Sequence, residues 1–76
     1  MTITGAQVRE ARRLLGWSQF KLAKKSKVID GRIAGFESGE ASLEPDAATA
    51  VRRTLEDAGI EFASDIALDV RLRKTK

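Results

Sequence analysis

Seventy-six residues suffice for one domain, and an apolar content of 42% with three Phe and one Trp supports one modest core. The chain has no Cys and no His, which removes disulfide staples, thiol nucleophiles, imidazole bases and the two commonest ligand types for structural zinc, and with them most enzyme chemistry. No run approaches the roughly 18 apolar residues of a membrane span, and the N-terminus lacks the basic start and apolar stretch of a signal peptide. The expectation is a soluble cytoplasmic protein that is not an enzyme and takes no metal and no cofactor.

The net charge of +3 hides a segregation of sign along the chain. Residues 1 to 27 carry Arg9, Arg12, Arg13, Lys21, Lys24, Lys25 and Lys27 against Glu10 alone. Residues 28 to 69 carry Arg32, Arg52 and Arg53 against ten carboxylates, and the tail returns to positive through Arg71, Arg73, Lys74 and Lys76. Such asymmetry suggests one surface facing a polyanion and another kept in solution by acid, a solvated basic helix being the bland alternative.

Taken in order, Thr4-Gly5-Ala6-Gln7 has the form of a capping box, with Ile3 and Val8 spaced as a hydrophobic staple around it. Val8, Ala11 and Leu15 then recur on one face of a first helix that Gly16 ends. Ser18 is suited to cap a second helix of two turns, with Leu22 and Ala23 inward and Lys21, Lys24 and Lys25 outward. A third helix, which Asp30 can cap, buries Ile33 and Phe36 and stops at Gly39. Pro45 fits the first position of a fourth helix with the apolar stripe Ala48, Val51, Leu55 and Ala58, and Gly59 follows as its C-cap. Beyond it the period changes to two: Ile60, Phe62, Ile66, Leu68, Val70 and Leu72 alternate as in half-buried strand, with Ala63-Ser64-Asp65 as a turn. A two-stranded ribbon is marginal alone and must pack on the helices or on a second copy, so those six apolar residues are candidates for dimerisation.

Two short helices joined by about four residues form a helix-turn-helix pattern. Counted from Gln19, the residues Leu22, Ala23, Val28, Ile33 and Phe36 occupy the wedge between them, and Ala23 is small where the helices cross at close range. The stretch GAQVREARRLLGWSQFKLAKKSKVIDGRIAGFESGE, residues 5 to 40, resembles the Cro and phage-repressor type helix-turn-helix family, also called the xenobiotic response element family. With the fourth helix as the family's packing helix, the resemblance extends to about Gly59. It implies a mainly α fold, a lambda-repressor-like bundle of about four helices over residues 1 to 59. Residues 60 to 76 then form a C-terminal strand or ribbon with a basic tail.

The function the resemblance implies is that of a small bacterial or phage transcriptional regulator, an autoregulatory repressor or controller. It binds double-stranded operator DNA at an inverted repeat as a homodimer, with the third helix in the major groove. By position, Gln19 matches a glutamine that bonds a phosphate, with Ser18 capping beside it. Ile29, Asp30, Gly31 and Arg32 match the turn and first helical turn nearest base edges, and Gly35 lies one turn on. Arg12 and Glu37 match a structural salt bridge between the first and third helices.

Departures from the family pattern bear on specificity. Lys27 stands where the family has a glycine suited to left-handed backbone, and it can reach a phosphate. Asp30 suits helix capping better than contact with DNA. Gly31 and Gly35 leave little to read bases with, so Arg32 and Ile29 stand out, the first for guanine or phosphate and the second for a thymine methyl. Trp17 reads as core rather than as a base-stacking residue. The alternative function is a protein-interaction module, an antitoxin or antiactivator that reuses the fold to bind a protein partner.

Overall fold

The computed structural model describes residues 3–62 and 70–72. It contains four helices, α1 (Gly5–Leu15), α2 (Gln19–Ser26), α3 (Asp30–Ser38) and α4 (Pro45–Asp57), followed by the short strands β1 (Ile60–Phe62) and β2 (Val70–Leu72). The fold is mainly helical, as expected from the residue periods.

Local chemistry sets most of the boundaries. Thr4 is extended and its hydroxyl accepts from the Gln7 amide at 3.1 Å, while the Gln7 side-chain carbonyl accepts from the Thr4 amide at 2.9 Å, completing the capping box. Gly16, at φ 72°, turns the chain out of α1, and its amide donates to the carbonyls of Arg12 and Arg13. Ser18 caps α2 by accepting from the Lys21 amide at 3.0 Å. Pro45 occupies the first position of α4, where no intrahelical amide is needed.

Two boundaries differ from the sequence expectation. Ile29, not Asp30, is the N-cap of α3 and supplies no side-chain cap bond; Asp30 lies inside the first turn. The extended backbone falls one residue earlier, so the Asp30 carboxylate complements the helix dipole without capping. Likewise Ala58, not Gly59, is the C-cap of α4, and Gly59 takes the positive φ of 107° one residue later.

Ile3, Val8, Ala11, Leu22, Ala23, Val28, Ile33, Val51, Leu55 and Ile60 form one core, with Leu14, Leu15, Trp17, Phe36 and Phe62 half-buried against it. Helix α1 packs on α3, α2 on both α3 and α4, and β1 on α4. Gly5 permits the closest of these approaches: a Cβ there would stand 2.0 Å from the Phe36 carbonyl oxygen. Helix α4 contributes Val51 and Leu55 as fully buried residues, while Ala48 and Ala58 at the ends of the expected stripe are half-buried.

The strands pair antiparallel with Ile60 opposite Leu72, Glu61 opposite Arg71 and Phe62 opposite Val70, and β2 lies along α1. The ribbon therefore packs on the helices of its own chain. Ile60 is 1% exposed within that core and is not available to a second copy, which removes it from the dimerisation set. Ile66, Leu68 and the expected turn at Ala63-Ser64-Asp65 lie outside the described residues.

Candidate nucleic-acid interface

The unit built from α2, its following turn and α3 depends on the turn. Lys27 adopts φ 64° and ψ 28°, a left-handed conformation that favours glycine, and its amide donates to the Ala23 carbonyl at 2.8 Å. Among the described residues it is the one non-glycine with positive φ. The turn delivers Val28 into the core and leaves Lys27, Ile29, Asp30, Gly31 and Arg32 exposed in succession. The first turn of α3 thus projects to solvent while Ile33, completely buried, anchors the same helix from behind.

A second anchor is ionic. The Arg12 guanidinium grips Glu37 in a fork, Nε to Oε2 at 2.7 Å and NH2 to Oε1 at 2.8 Å, and its remaining nitrogen donates to the Trp17 carbonyl at 2.8 Å. The Glu37 side chain is 4% exposed and that of Arg12 16%, so the pair ties α1 to α3 with little water between. Hydrogen bonding to Glu37 raises the Arg12 pKa above its ordinary value against the opposing effect of burial. This is the interhelical pair that the resemblance implied.

Sequence reasoning missed a third member of this cluster. The Gln19 amide nitrogen donates to Glu37 Oε1 at 3.1 Å, and because a carboxylate only accepts, the nitrogen end of the carboxamide must face inward. One N–H is thereby used, leaving the second N–H and the carbonyl for another partner. Gln19 also borders a small cleft of about 220 Å³ with Arg9, Ala34 and Ser38, which places it beside the exposed flank of α3. Ser18 is committed to capping. Gly35, half-buried, would place a Cβ 3.5 Å from Ala41, an ordinary contact.

Lys27, Ile29 and Arg32 share another cleft of about 400 Å³, whose opposite wall carries Glu44 and Asp46 at the start of α4. Arg32 forms no ion pair with the described residues, so its guanidinium is exposed between a basic turn and an acidic wall. Helix α2 adds the densest positive field. The Lys21 and Lys25 ammonium groups lie 5.4 and 5.6 Å from the centre of the Trp17 ring, and that of Lys24 lies 5.7 Å from the Phe20 ring. Trp17 itself is half-buried against the core, and its exposed ring face serves as a seat for lysines.

Phe20 is a surface residue that the sequence analysis did not single out. It is 62% exposed, and the sequence did hold a signal: two residues before Leu22 on a helix, it points about 200° away from the wedge. Among the described residues no helix is long and apolar enough to cross a membrane. No family model, curated protein or solved structure matches the chain.

Proposed function

We propose that the chain is a sequence-specific DNA-binding transcriptional regulator, acting in the cytoplasm as a homodimer on an inverted-repeat operator. The observation that carries this reading is the exposed first turn of α3, held out by a left-handed turn at Lys27 and fixed from behind by Ile33 and the Arg12–Glu37 fork. In that arrangement the N-terminus of α3 and the unpaired Arg32 guanidinium lie beside Lys27, with Lys24 of α2 next to Lys27 and Ile29. The chemistry suits a polyanion with readable edges. Arg32 would take a guanine edge or a phosphate, Ile29 a thymine methyl, and Gln19 a phosphate through its second N–H. Two copies would place their third helices in successive major grooves about 34 Å apart.

The test is selection of bound sequences from a random duplex library at about 150 mM salt, where phosphate-only binding is suppressed. An inverted repeat with half-sites one helical turn apart is the expected product. On that repeat Arg32→Ala should cost about 1–3 kcal/mol and spare random DNA if Arg32 reads a base, equal loss on both assigning it to a phosphate, and Gln19→Ala should weaken all sequences evenly. Recovery of no preferred sequence would overturn the reading.

A further inference from the structure

Phe20 and Ile29 are the two large apolar side chains that stand out of the described surface, at 62% and 68% exposure. They are not scattered. Both line one shallow groove of about 280 Å³ between α2 and the start of α3, floored by Ala23 and rimmed by Lys24 and Lys27. Single exposed apolar residues need no explanation, but two that share a groove mark a binding surface. The rim specifies the sign of the ligand: α2 carries three lysines and no carboxylate, and Lys27 follows it. One acid, Asp30, closes the far end.

Two kinds of anionic ligand present apolar groups, DNA through its thymine methyls and acidic peptides through their side chains. Size favours the peptide, because one methyl leaves most of a groove between a phenyl ring and a branched aliphatic chain unfilled, whereas a leucine or phenylalanine side chain fills it. The Lys24 ammonium lies over the Phe20 ring at the edge of the groove. A carboxylate next to the inserted side chain would pair with that ammonium without moving it off the ring.

We propose that this groove docks an acidic peptide segment of a partner protein, in which one aromatic or branched aliphatic residue is flanked by Asp or Glu. Lys27 and Ile29 border both this groove and the cleft that holds Arg32. A docked segment therefore covers the entry to α3 and excludes DNA. That regulatory consequence rests on the DNA-binding reading; the docking does not.

The test selects peptides from a random displayed library on the intact chain, with the Phe20→Ser, Ile29→Ser double variant as counter-target. Both side chains are exposed and serine is a favoured N-cap at position 29, so the variant should keep its thermal transition. The expected result is a consensus with one large apolar residue among acids. Its synthetic peptide should bind the double variant about tenfold or more weakly, the scale of an anchoring residue. Lys24→Glu should weaken it too, and the peptide should displace a labelled duplex. No consensus, or equal binding to the double variant, overturns the proposal. So does a selected duplex whose loss of affinity on thymine-to-uracil replacement disappears in Phe20→Ser alone, with Ile29 intact, which would assign the groove to DNA. A peptide that docks as described on a chain that recovers no duplex upholds the docking and removes only its regulatory consequence.

Discussion

Replacing Lys27 with glycine separates what its backbone costs from what its charge does. At φ 64° the residue holds a conformation that costs an L-residue about 1–2 kcal/mol, and it is retained because it ends α2 and aims α3. Glycine removes that strain but gives back about 0.4–1 kcal/mol through the greater freedom of the unfolded chain. Lys27→Gly should therefore stabilise the fold by about 0.5–1 kcal/mol, a rise of roughly 2–8 °C in melting temperature for a domain of this size. Lys27→Ala keeps the strain and should melt near the wild type. Both variants lose the ammonium, so if it neutralises one phosphate, both should lower the log–log salt slope of duplex binding by about 0.9. Thermal circular dichroism of the three proteins, with fluorescence anisotropy of a labelled duplex across salt, reads both quantities. A glycine variant that melts no higher than the alanine variant would refute the strain. Unequal changes of slope would show that DNA senses the backbone rather than the charge.

Three further outcomes follow from the packing. Glu37→Ala strands the Arg12 guanidinium and releases Gln19; with Arg12 16% exposed, the loss should be about 2–4 kcal/mol by urea unfolding, within or just below the range for fully buried pairs, and a loss near zero would mean that the fork is decorative. Gly5→Ala would ordinarily strengthen a helix, yet its Cβ meets the Phe36 carbonyl, so a destabilisation of about 1–3 kcal/mol is expected, and a higher melting temperature would disprove the close approach of α1 and α3. Hydrogen bonding to Arg13 holds the Glu10 carboxyl below its ordinary 4.5. A lowered carboxyl pKa stabilises the fold above the unfolded value, and the effect fades as pH falls through the folded one. The melting difference between wild type and Glu10→Gln should accordingly be small near pH 7 and vanish in acid; a difference that grows in acid would contradict the sign.

What was legible in the sequence is what a few neighbouring residues decide. Thr4 with Gln7, Ser18, Gly16, Gly39 and Pro45 each act within one helical turn, and the two-residue period of Ile60-Glu61-Phe62 is equally local. Asp30 shows the limit of that logic. Its residue type suits a cap, but the preceding turn sets where the extended backbone falls, and that turn is governed by Val28 entering the core. The Gln19–Glu37 bond spans 18 residues and the Arg12–Glu37 bond 25, so neither follows from periodicity; the second was available by resemblance and the first was not. Ile60 read as a candidate interface because alternation marks which face is apolar, not which surface covers it, and here α4 and the core do.

The same geometry bears on how such a chain would divide affinity from specificity. On the DNA-binding reading, exposed Gly31 and half-buried Gly35 contribute no side chain and Asp30 repels phosphate, which would leave Arg32 and Ile29 to read base edges. Few readers mean few discriminating contacts per half-site, each worth about 1–3 kcal/mol. The lysines of α2 are the reverse case: none forms an ion pair with the described residues, and all three ammonium groups lie over the rings of Trp17 and Phe20. Exposed and without carboxylate partners, they would supply affinity that is indifferent to sequence and steep in salt. On that reading, selectivity would have to come from pairing two weakly reading copies at a set spacing. For that reason the half-site separation, more than the identity of any single base, should be the sharpest feature of a selected repeat.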